Sequence, residues 1–209
     1  MKDLNYQYTN NWFDVYARSV WSELIPQVNP TNILEIGSYE GASSCYLIQS
    51  LAEYKPIELH CIDTWQGGVE HHDLQTDMRS VEERFHHNTR LTIDKSKYPV
   101  DLITHKSCSD LALAKLLANG KEGYFDFIYI DGSHQAPDVL CDAVLAFKLL
   151  RINGVMVFDD YLWQEKLPYG VDLIRCPKAA IDAFTNIFCR KINIITAPLY
   201  QLYVQKISN

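Results

Sequence analysis

Several carboxylate side chains of this chain stand where apolar runs end. The runs end at or beside Glu35, Asp63, Asp131 and the pair Asp159-Asp160. Runs of this kind are typical of buried strands, and the carboxyl ends of parallel strands meet at one edge of a sheet, where ligands bind. Carboxylates gathered there can accept hydrogen bonds from hydroxyl groups or hold a hard cation such as Mg²⁺. The sequence therefore predicts one acidic site at this edge.

A histidine lies beside these acids. His134 follows Asp131 by three residues, on the loop that would leave the strand. Imidazole titrates near neutral pH, so His134 is suited to take a proton from a hydroxyl group. The alternative is that His134 only orders its loop through a hydrogen bond.

Asp131, Asp159 and Asp160 are the candidate metal ligands. They end two strands that should be neighbours, and clustered carboxylates raise each other's pKa unless a cation or a donor offsets the charge. Adjacent side chains diverge along a strand, so Asp159 and Asp160 can both bind a metal only if the strand ends there. The alternative is that one of the two caps a helix or contacts a cofactor.

Two glycines flank the predicted turn between the first strand and the next helix. Gly37 and Gly41 follow Glu35 in a Glu-x-Gly-x-x-x-Gly pattern, whereas a nicotinamide-binding turn more often reads GxGxxG. Glycine lets the backbone approach a ligand closely, and the start of the following helix presents free amides. Asp63, at the next strand end, is placed to accept hydrogen bonds from both hydroxyls of a ribose; the alternative is a loop cap. The pattern predicts a nucleoside cofactor.

The elements that would carry these residues alternate between strands and helices. Apolar runs predict strands at residues 32–36, 57–62, 100–104, 125–130, 155–158, 192–196 and 202–206. Helical spacing predicts helices at 12–26, 41–53 and 74–88, one capped by Ser109, and two that begin at Pro137 and Pro177. We expect an α/β fold with a doubly wound, mostly parallel seven-stranded, Rossmann-like sheet, a terminal antiparallel hairpin and helices on both faces. Residues 1–209 should form one domain, with an N-terminal helical segment at 1–30 and the core at 31–209.

Composition narrows the class of protein. The net charge of −7 argues against nucleic-acid or anionic-membrane binding, which normally needs a basic face. The chain shows no run long enough to span a membrane and no signal peptide, and its six cysteines form no CxxC pair, so we expect a cytoplasmic protein with buried, reduced thiols. The aromatic residues of the first helix could form a homodimer contact or cover the domain's own sheet; they are Trp12, Phe13, Tyr16 and Trp21.

Three segments resemble class I S-adenosylmethionine-dependent methyltransferases. Residues 34–43 (LEIGSYEGAS) resemble the first motif of these enzymes, and residues 125–134 (FDFIYIDGSH) and 150–161 (LRINGVMVFDDY) resemble the macrocin-type branch, which methylates sugar hydroxyls in natural products. The resemblance runs from about residue 32 to 206. The chain is more compact than the macrocin-type enzymes before its first strand.

This resemblance implies a set of functional residues. The cofactor-binding residues would be Glu35, Gly37, Ser38, Tyr39, Gly41, Ser43, Asp63, Thr64, Ser107, Cys108 and Asp131. Glu35 would contact the methionine amino group of S-adenosylmethionine, or else it is a buried acid that holds loop amides. Asp131, Asp159 and Asp160 would bind Mg²⁺, and His134 and Asp131 would be catalytic, with His134 as general base.

The expected activity is methylation of a hydroxyl oxygen on a sugar or another small metabolite. The loop at 63–77 could carry substrate contacts from Trp65, Gln66 or His72, and Tyr161, Trp163 and Tyr169 could wall the acceptor pocket. Two other functions stay open: a nicotinamide- or nucleotide-sugar-dependent enzyme on a similar sheet, and a non-catalytic S-adenosylmethionine-binding protein.

Overall fold

The protein is built around one mixed sheet of seven strands. The computed structural model describes residues 5–69, 75–165 and 167–209. The strand order is β3-β2-β1-β4-β5-β7-β6; β1 to β5 pair in parallel, and β7 is antiparallel to both β5 and β6. The predicted fold class, including the terminal hairpin, is therefore confirmed.

Strands and helices alternate along the chain. The strands are β1 (Asn32–Ile36), β2 (Ile57–Asp63), β3 (Val100–Lys106), β4 (Phe125–Ile130), β5 (Leu150–Phe158), β6 (Ile192–Ile195) and β7 (Leu202–Lys206). The helices are α1 (Trp12–Tyr16), α2 (Arg18–Val28), α3 (Ala42–Leu51), α4 (Met78–Ile93), α5 (Ser109–Ala118), α6 (Ala136–Leu149) and α7 (Pro177–Ile187), with a 3₁₀ turn at Leu173–Arg175.

The central strands are apolar because both faces of the sheet are covered. Along β4, Ile128 and Ile130 belong to a core formed with α5, α6 and α7, whereas Phe127 and Tyr129 belong to a core formed with α1 to α4. Side chains alternate between the two faces, so the acid that follows each strand is placed by the register of that strand.

The N-terminal helix differs from its prediction. It is split into α1 and α2 at Ala17, and α2 continues past Pro26 to Val28. A proline near the end of a helix removes only one late backbone hydrogen bond, so the helix need not stop there. Phe13 and Trp21 are buried in the domain's own core, whereas Trp12 and Tyr16 are exposed.

Other boundaries moved by a few residues. Cys108, not Ser109, precedes α5 as its N-cap, and no side-chain hydrogen bond caps that helix. β5 begins at Leu150, which pairs with Phe125, and its register with β4 shifts before Phe127 pairs with Val155. The helix predicted at 74–88 is α4, shifted toward the carboxyl side. His72 lies outside the described residues.

The cysteines are only partly as expected. All six are free, but three of them (Cys108, Cys141 and Cys189) are exposed rather than buried. None of the helices in the described part of the chain is long and apolar enough to cross a membrane.

Candidate functional site

The ends of four neighbouring strands are held in register by backbone hydrogen bonds. The amide of Asp131 donates to the carbonyl of Ile36 at 2.8 Å, and the amide of Asp159 donates to that of Ile130 at 2.9 Å. On the other side of β1, the amide of Gly37 donates to the carbonyl of Ile62 at 2.8 Å. The strand ends that precede or carry Asp63, Asp131 and Asp159 therefore form one edge of the sheet.

The turn after β1 needs its glycines. Gly37 has φ of 82°, and a Cβ atom there would lie 1.9 Å from the carbonyl oxygen of Asp131. Gly41, the N-cap of α3, has φ of 81° and contributes no side-chain cap. The first amides of α3 therefore stay available to a ligand that approaches the turn.

Glu35 does not face the crevice. It is fully buried, and its carboxylate accepts hydrogen bonds from the hydroxyls of Ser38, Ser43 and Ser44. Burial raises the pKa of Glu35, although these hydroxyls act in the opposite direction. The geometry matches the alternative in which Glu35 is a buried acid that holds the turn, with hydroxyls rather than amides as its donors. Ser43 likewise points to Glu35.

Asp63 at the end of β2 organises the same turn from the other side. Its Oδ2 accepts hydrogen bonds from the amides of Ser38 and Tyr39, both at 2.9 Å, and its Oδ1 accepts one from the amide of Trp65 at 2.7 Å. The side chain stays partly exposed. Each carboxylate oxygen can accept more than one hydrogen bond, so these contacts are compatible with binding a ribose.

The remaining predicted cofactor residues flank this turn. The amide of Ser107 donates to the carbonyl of Asp63 at 3.2 Å, and Cys108 follows it as an exposed residue. The hydroxyl of Thr64 accepts a hydrogen bond from the amide of Gln66 at 3.1 Å. The structure thus brings Gly37, Ser38, Tyr39, Gly41, Asp63, Thr64, Ser107 and Cys108 to one stretch of the edge.

Asp131 and Asp159 converge on one phenol. The hydroxyl of Tyr129 lies 3.0 Å from Oδ2 of Asp131 and also contacts Oδ2 of Asp159. A phenol carries one proton, so it can donate to only one of the two carboxylates at a time. Burial, and then the charges of Asp159 and Asp160, raise the pKa of Asp131 well above its ordinary value. Burial and the charge of Asp160 raise the pKa of Asp159 to about 6.

A buried amide supports this pair of acids. Gln201 donates to Oδ2 of Asp159 at 3.0 Å, and its own oxygen accepts a hydrogen bond from the indole of Trp21 at 3.0 Å and another from the hydroxyl of Tyr203. Gln201 is 1% exposed, so its orientation is fixed by these partners. Trp21 of α2 is thereby linked to Asp159 through one side chain.

His134 pairs with Asp160. Nε2 of His134 lies 2.8 Å from Oδ2 of Asp160, and the ring of Trp163 packs on the imidazole with centroids 4.1 Å apart. Asp160 has φ of 56°, which turns the chain just after β5 ends at Phe158. Asp159 and Asp160 therefore point to different partners: Asp159 to Tyr129, and Asp160 to His134.

The structure does not show the predicted metal site, which stays a prediction. Two carboxylates approach each other at Tyr129, but within the described ranges no three His, Cys, Asp or Glu side chains have an arrangement that could hold a metal ion. Asp131, His134, Asp159 and Asp160 do line one surface depression together with Pro177.

Of the aromatic residues predicted to contact the substrate, only some lie at the acidic site. Trp163 reaches the site through His134. Tyr161 donates its hydroxyl to Asp182 at 2.8 Å, and Tyr169 is exposed. Trp65 is buried and donates its indole N–H to the carbonyl of Tyr39, so it supports the turn.

Sequence reasoning did not identify Tyr129, Gln201 or Trp21 as site residues. Tyr129 carried a usable signal, because it precedes Asp131 by two residues on a strand and so shares its face. Gln201 and Trp21 are distant in sequence, and nothing local indicated their contact.

The chain matches known proteins in sequence. Residues 34–161 match a family model described as a methyltransferase domain. A probable caffeoyl-CoA O-methyltransferase 3 of Dictyostelium discoideum is 27% identical over 170 residues, which are 78% of this chain and 59% of that protein. The uncharacterized protein R132 of Acanthamoeba polyphaga mimivirus is 25% identical over 130 residues, 61% of this chain and 50% of that one. The chain thus spans about half to three fifths of the length of these relatives.

Solved structures share the fold. The O-methyltransferase TomG from Streptomyces achromogenes, in complex with SAM, superposes with a TM-score of 0.60 at 19% identity, covering 90% of this chain and 78% of that one. The calicheamicin methyltransferase CalS11 gives a TM-score of 0.62 at 12% identity, with coverage of 95% and 80%. At these identities the likeness concerns the fold.

Proposed function

Because this chain belongs to the family of methyltransferase domains, we propose that it transfers a methyl group from S-adenosylmethionine to a hydroxyl oxygen of a small metabolite. The observation that carries the proposal is the arrangement of the edge: a glycine turn with open helix amides beside Asp63, next to the pair His134-Asp160. The glycine turn and Asp63 suit the binding of a nucleoside that carries a charged amino acid. The pair His134-Asp160 suits removal of a hydroxyl proton.

The cofactor would lie along the ends of β1 and β2. The turn comes so close to β4 that only glycine fits at position 37, which leaves backbone rather than side chains facing the ligand. Asp63 would accept the ribose hydroxyls, and Ser107 and Cys108 would flank the adenine. When bound, S-adenosylmethionine supplies a sulfonium-activated methyl group.

His134 would accept the proton. The neutral imidazole of His134, which Asp160 holds through Nε2, takes the proton of the acceptor hydroxyl. The acceptor oxygen then attacks the methyl carbon, the carbon–sulfur bond breaks, and its electron pair stays on sulfur to give S-adenosylhomocysteine. Asp160 stabilises the imidazolium that forms, and alignment of oxygen and methyl group supplies much of the acceleration.

We infer further that Asp131 and Asp159 bind Mg²⁺. Asp131 and Asp159 are half-buried and share one phenolic proton, and neighbouring carboxylates raise the pKa of each: Asp159 and Asp160 act on Asp131, and Asp160 acts on Asp159. A hard divalent ion would neutralise this cluster of charge. Asp160 would join them as a third ligand, although its Oδ2 already contacts His134. The chemistry such an ion supplies is orientation of acceptor oxygens and a lower hydroxyl pKa.

The acceptor would be a sugar or another small metabolite, in a cytoplasmic enzyme that acts on neither nucleic acid nor membrane. The resemblance to macrocin-type enzymes supports a sugar acceptor. The net negative charge of the chain supports the proposal that nucleic acid and anionic membranes are not its substrates.

Calorimetric titration with S-adenosylhomocysteine tests the cofactor, with NAD as the competing ligand. We expect micromolar binding of S-adenosylhomocysteine and none of NAD; the reverse result would overturn the proposal.

A second titration, with Mg²⁺ into protein saturated with S-adenosylhomocysteine, tests the metal. Asp159→Asn should abolish Mg²⁺ binding, whereas Asp110→Asn removes an equal charge at the exposed start of α5 and should not. Equal Mg²⁺ affinity in the two variants would remove the metal from the proposal and leave methyl transfer standing.

A further inference from the structure

The segment before α1 is tied to the cofactor turn through buried polar groups. Asn88 of α4 is fully buried; its Oδ1 accepts a hydrogen bond from the amide of Gln7 at 2.7 Å, and its Nδ2 donates to the carbonyl of Gln7 at 3.1 Å and to that of Glu40 at 2.9 Å. One side chain thus joins residues 5–11, α4 and the turn after β1.

Glu40 makes the second connection. It belongs to the turn after β1 and is 2% exposed. Its Oε2 accepts the amide of Thr9 at 2.7 Å, and its Oε1 accepts the hydroxyl of Thr9 at 2.8 Å and Nε of Arg84 at 2.6 Å. Charge-assisted hydrogen bonds in a buried position are stronger than neutral ones, so Glu40 fixes residues 5–11 relative to the turn.

Residues 5–11 lead directly into α1, which carries two of the four aromatic residues that we call the aromatic wall: Trp12, Tyr16, Tyr39 and Tyr200. The ring of Trp12 lies 5.7 Å from that of Tyr39, and the ring of Tyr16 lies 4.9 Å from that of Tyr200. Trp12 is 57% exposed, Tyr16 45% and Tyr200 55%. Large aromatic side chains that stay this exposed next to one another indicate a binding surface.

Both ends of the aromatic wall border the candidate site. Tyr39 sits in the turn whose amides bind Asp63. The carbonyl of Tyr200 accepts a hydrogen bond from the amide of Tyr161, the residue after Asp160, and the next residue, Gln201, binds Asp159. The wall therefore stands between the cofactor side and the acid side of the edge.

We infer that the aromatic wall binds the acceptor, that the acceptor carries an aromatic ring, and that Glu40 is the positioning residue that holds the wall in place. This inference rests on the proposed methyl transfer. An aryl ring gains from offset or edge-to-face contact with such rings.

A sugar would find few hydrogen-bond partners at the aromatic wall. Its hydroxyls need partners around the whole ring, and each unpaired one is costly once buried. The polar groups beside the wall are already paired within the protein: Thr9 with Glu40, and Gln201 with Trp21 and Asp159.

The test measures binding of matched probes to protein saturated with S-adenosylhomocysteine. Catechol and trans-cyclohexane-1,2-diol present the same pair of hydroxyls with and without an aromatic ring, and methyl glucoside represents the sugar. Wild type should bind catechol most tightly. Trp12→Ala and Tyr200→Ala should each weaken catechol by about three- to tenfold, the range of one aromatic contact, with the affinity for S-adenosylhomocysteine unchanged.

Tyr54→Ala is the matched control. Tyr54 is an exposed tyrosine (77%) at the carboxyl end of α3, on the opposite edge of the sheet from the site, and its removal should change no affinity.

Glu40 is tested separately because its replacement could unfold the protein. Thr9→Ala cuts one side-chain bond to Glu40, and Glu40→Gln weakens the charged ones. Both variants should lower the affinity for catechol by the same factor as Trp12→Ala, and both should accelerate the hydrogen exchange of backbone amides in residues 5–16. Tyr6→Phe, which removes a hydroxyl bonded to Gln49 and Thr92 and not to the turn, should leave the affinity for catechol unchanged.

Three results would overturn the inference. Catechol binding no tighter than the cyclohexane diol or the glucoside would exclude an aryl site. An unchanged affinity of Trp12→Ala for catechol would exclude the aromatic wall as the acceptor-binding surface. Sedimentation of wild type as a dimer and of Trp12→Ala as a monomer would make the wall an interface between copies of the chain. Binding of S-adenosylhomocysteine in these cases would leave the proposed function intact, whereas its failure to bind would remove both.

Discussion

The buried carboxyl group of Asp142 makes the stability of the protein depend on pH in a way that can be tested. Asp142 lies on α6 and is 1% exposed, and no described residue donates a hydrogen bond to its Oδ1. Burial raises its pKa to about 7, against the opposing effect of the Ser109 hydroxyl and with a further rise from the charges of Asp138 and Asp110. We expect Asp142→Asn, which keeps the shape and removes the charge, to change stability with a sign that depends on pH.

The magnitude follows from linkage. The native carboxyl keeps a proton between pH 4 and 7, where the unfolded chain with its ordinary pKa of 3.8 has released it, so wild type loses stability as the pH rises through that window. At about 1.4 kcal/mol per pH unit, the loss reaches roughly 4 kcal/mol by pH 8. A buried amide without a full set of partners costs about 1–3 kcal/mol at every pH. Asp142→Asn should therefore be more stable than wild type at pH 8 and less stable at pH 4.

Urea unfolding of both proteins at pH 4, 6 and 8 measures the difference. Asp126→Asn is the control of opposite sign: burial would raise the pKa of Asp126, but the amides of Asn32 and Thr31 and the guanidinium of Arg151 outweigh it and lower that pKa. Stability from Asp126 is present above its unfolded pKa and lost as the pH falls, so its variant should be destabilised most at pH 8. A constant difference between Asp142→Asn and wild type across this range would refute the reasoning.

Three further predictions concern the site. Gly37→Ala should yield little folded protein by circular dichroism, because its Cβ would overlap a carbonyl oxygen; Gly120→Ala, at a similar positive φ in open space, should fold, and equal yields would contradict the packing argument. Tyr129→Phe should cost about 1–3 kcal/mol in urea unfolding, because the half-buried Asp131 and Asp159 both lose a phenolic donor, and only Asp159 keeps the amide of Gln201. The cost should exceed that of Tyr203→Phe, whose single partner Gln201 keeps the indole of Trp21 as a second donor. His134→Gln should slow turnover by about 100-fold or more with unchanged affinity for S-adenosylhomocysteine, and an unchanged rate would exclude a general base at this position.

The sequence predicted the fold and the edge where the site lies because both depend on local patterns. Apolar runs and helical spacing placed the elements, and each acid at a strand end follows from the parallel register. The position of Glu35 could not be derived in this way, since its partners Ser43 and Ser44 sit on the helix that packs over it.

Contacts between distant segments were missed for the same reason. Glu40 reads as a solvated turn residue, and only the path of residues 5–11 across α4 buries it. The single predicted N-terminal helix proved to be two, because Ala17 takes a conformation that no residue type there demands.

The buried side chain of Trp21 can serve as an intrinsic fluorescence reporter of the acidic site. Its indole donates to Gln201, which in turn donates to Asp159, and its ring meets that of Tyr129 edge-on with centroids 4.9 Å apart. Indole emission responds to nearby charge, and the solvent is excluded here, so neutralising Asp159 should shift the fluorescence of Trp21 without any attached dye. The chain has four tryptophans and Trp163 packs on His134, so the Trp21 signal is read in a variant with Trp12, Trp65 and Trp163 replaced by phenylalanine. Occupancy of the acidic end of the crevice can then be followed by stopped-flow fluorescence.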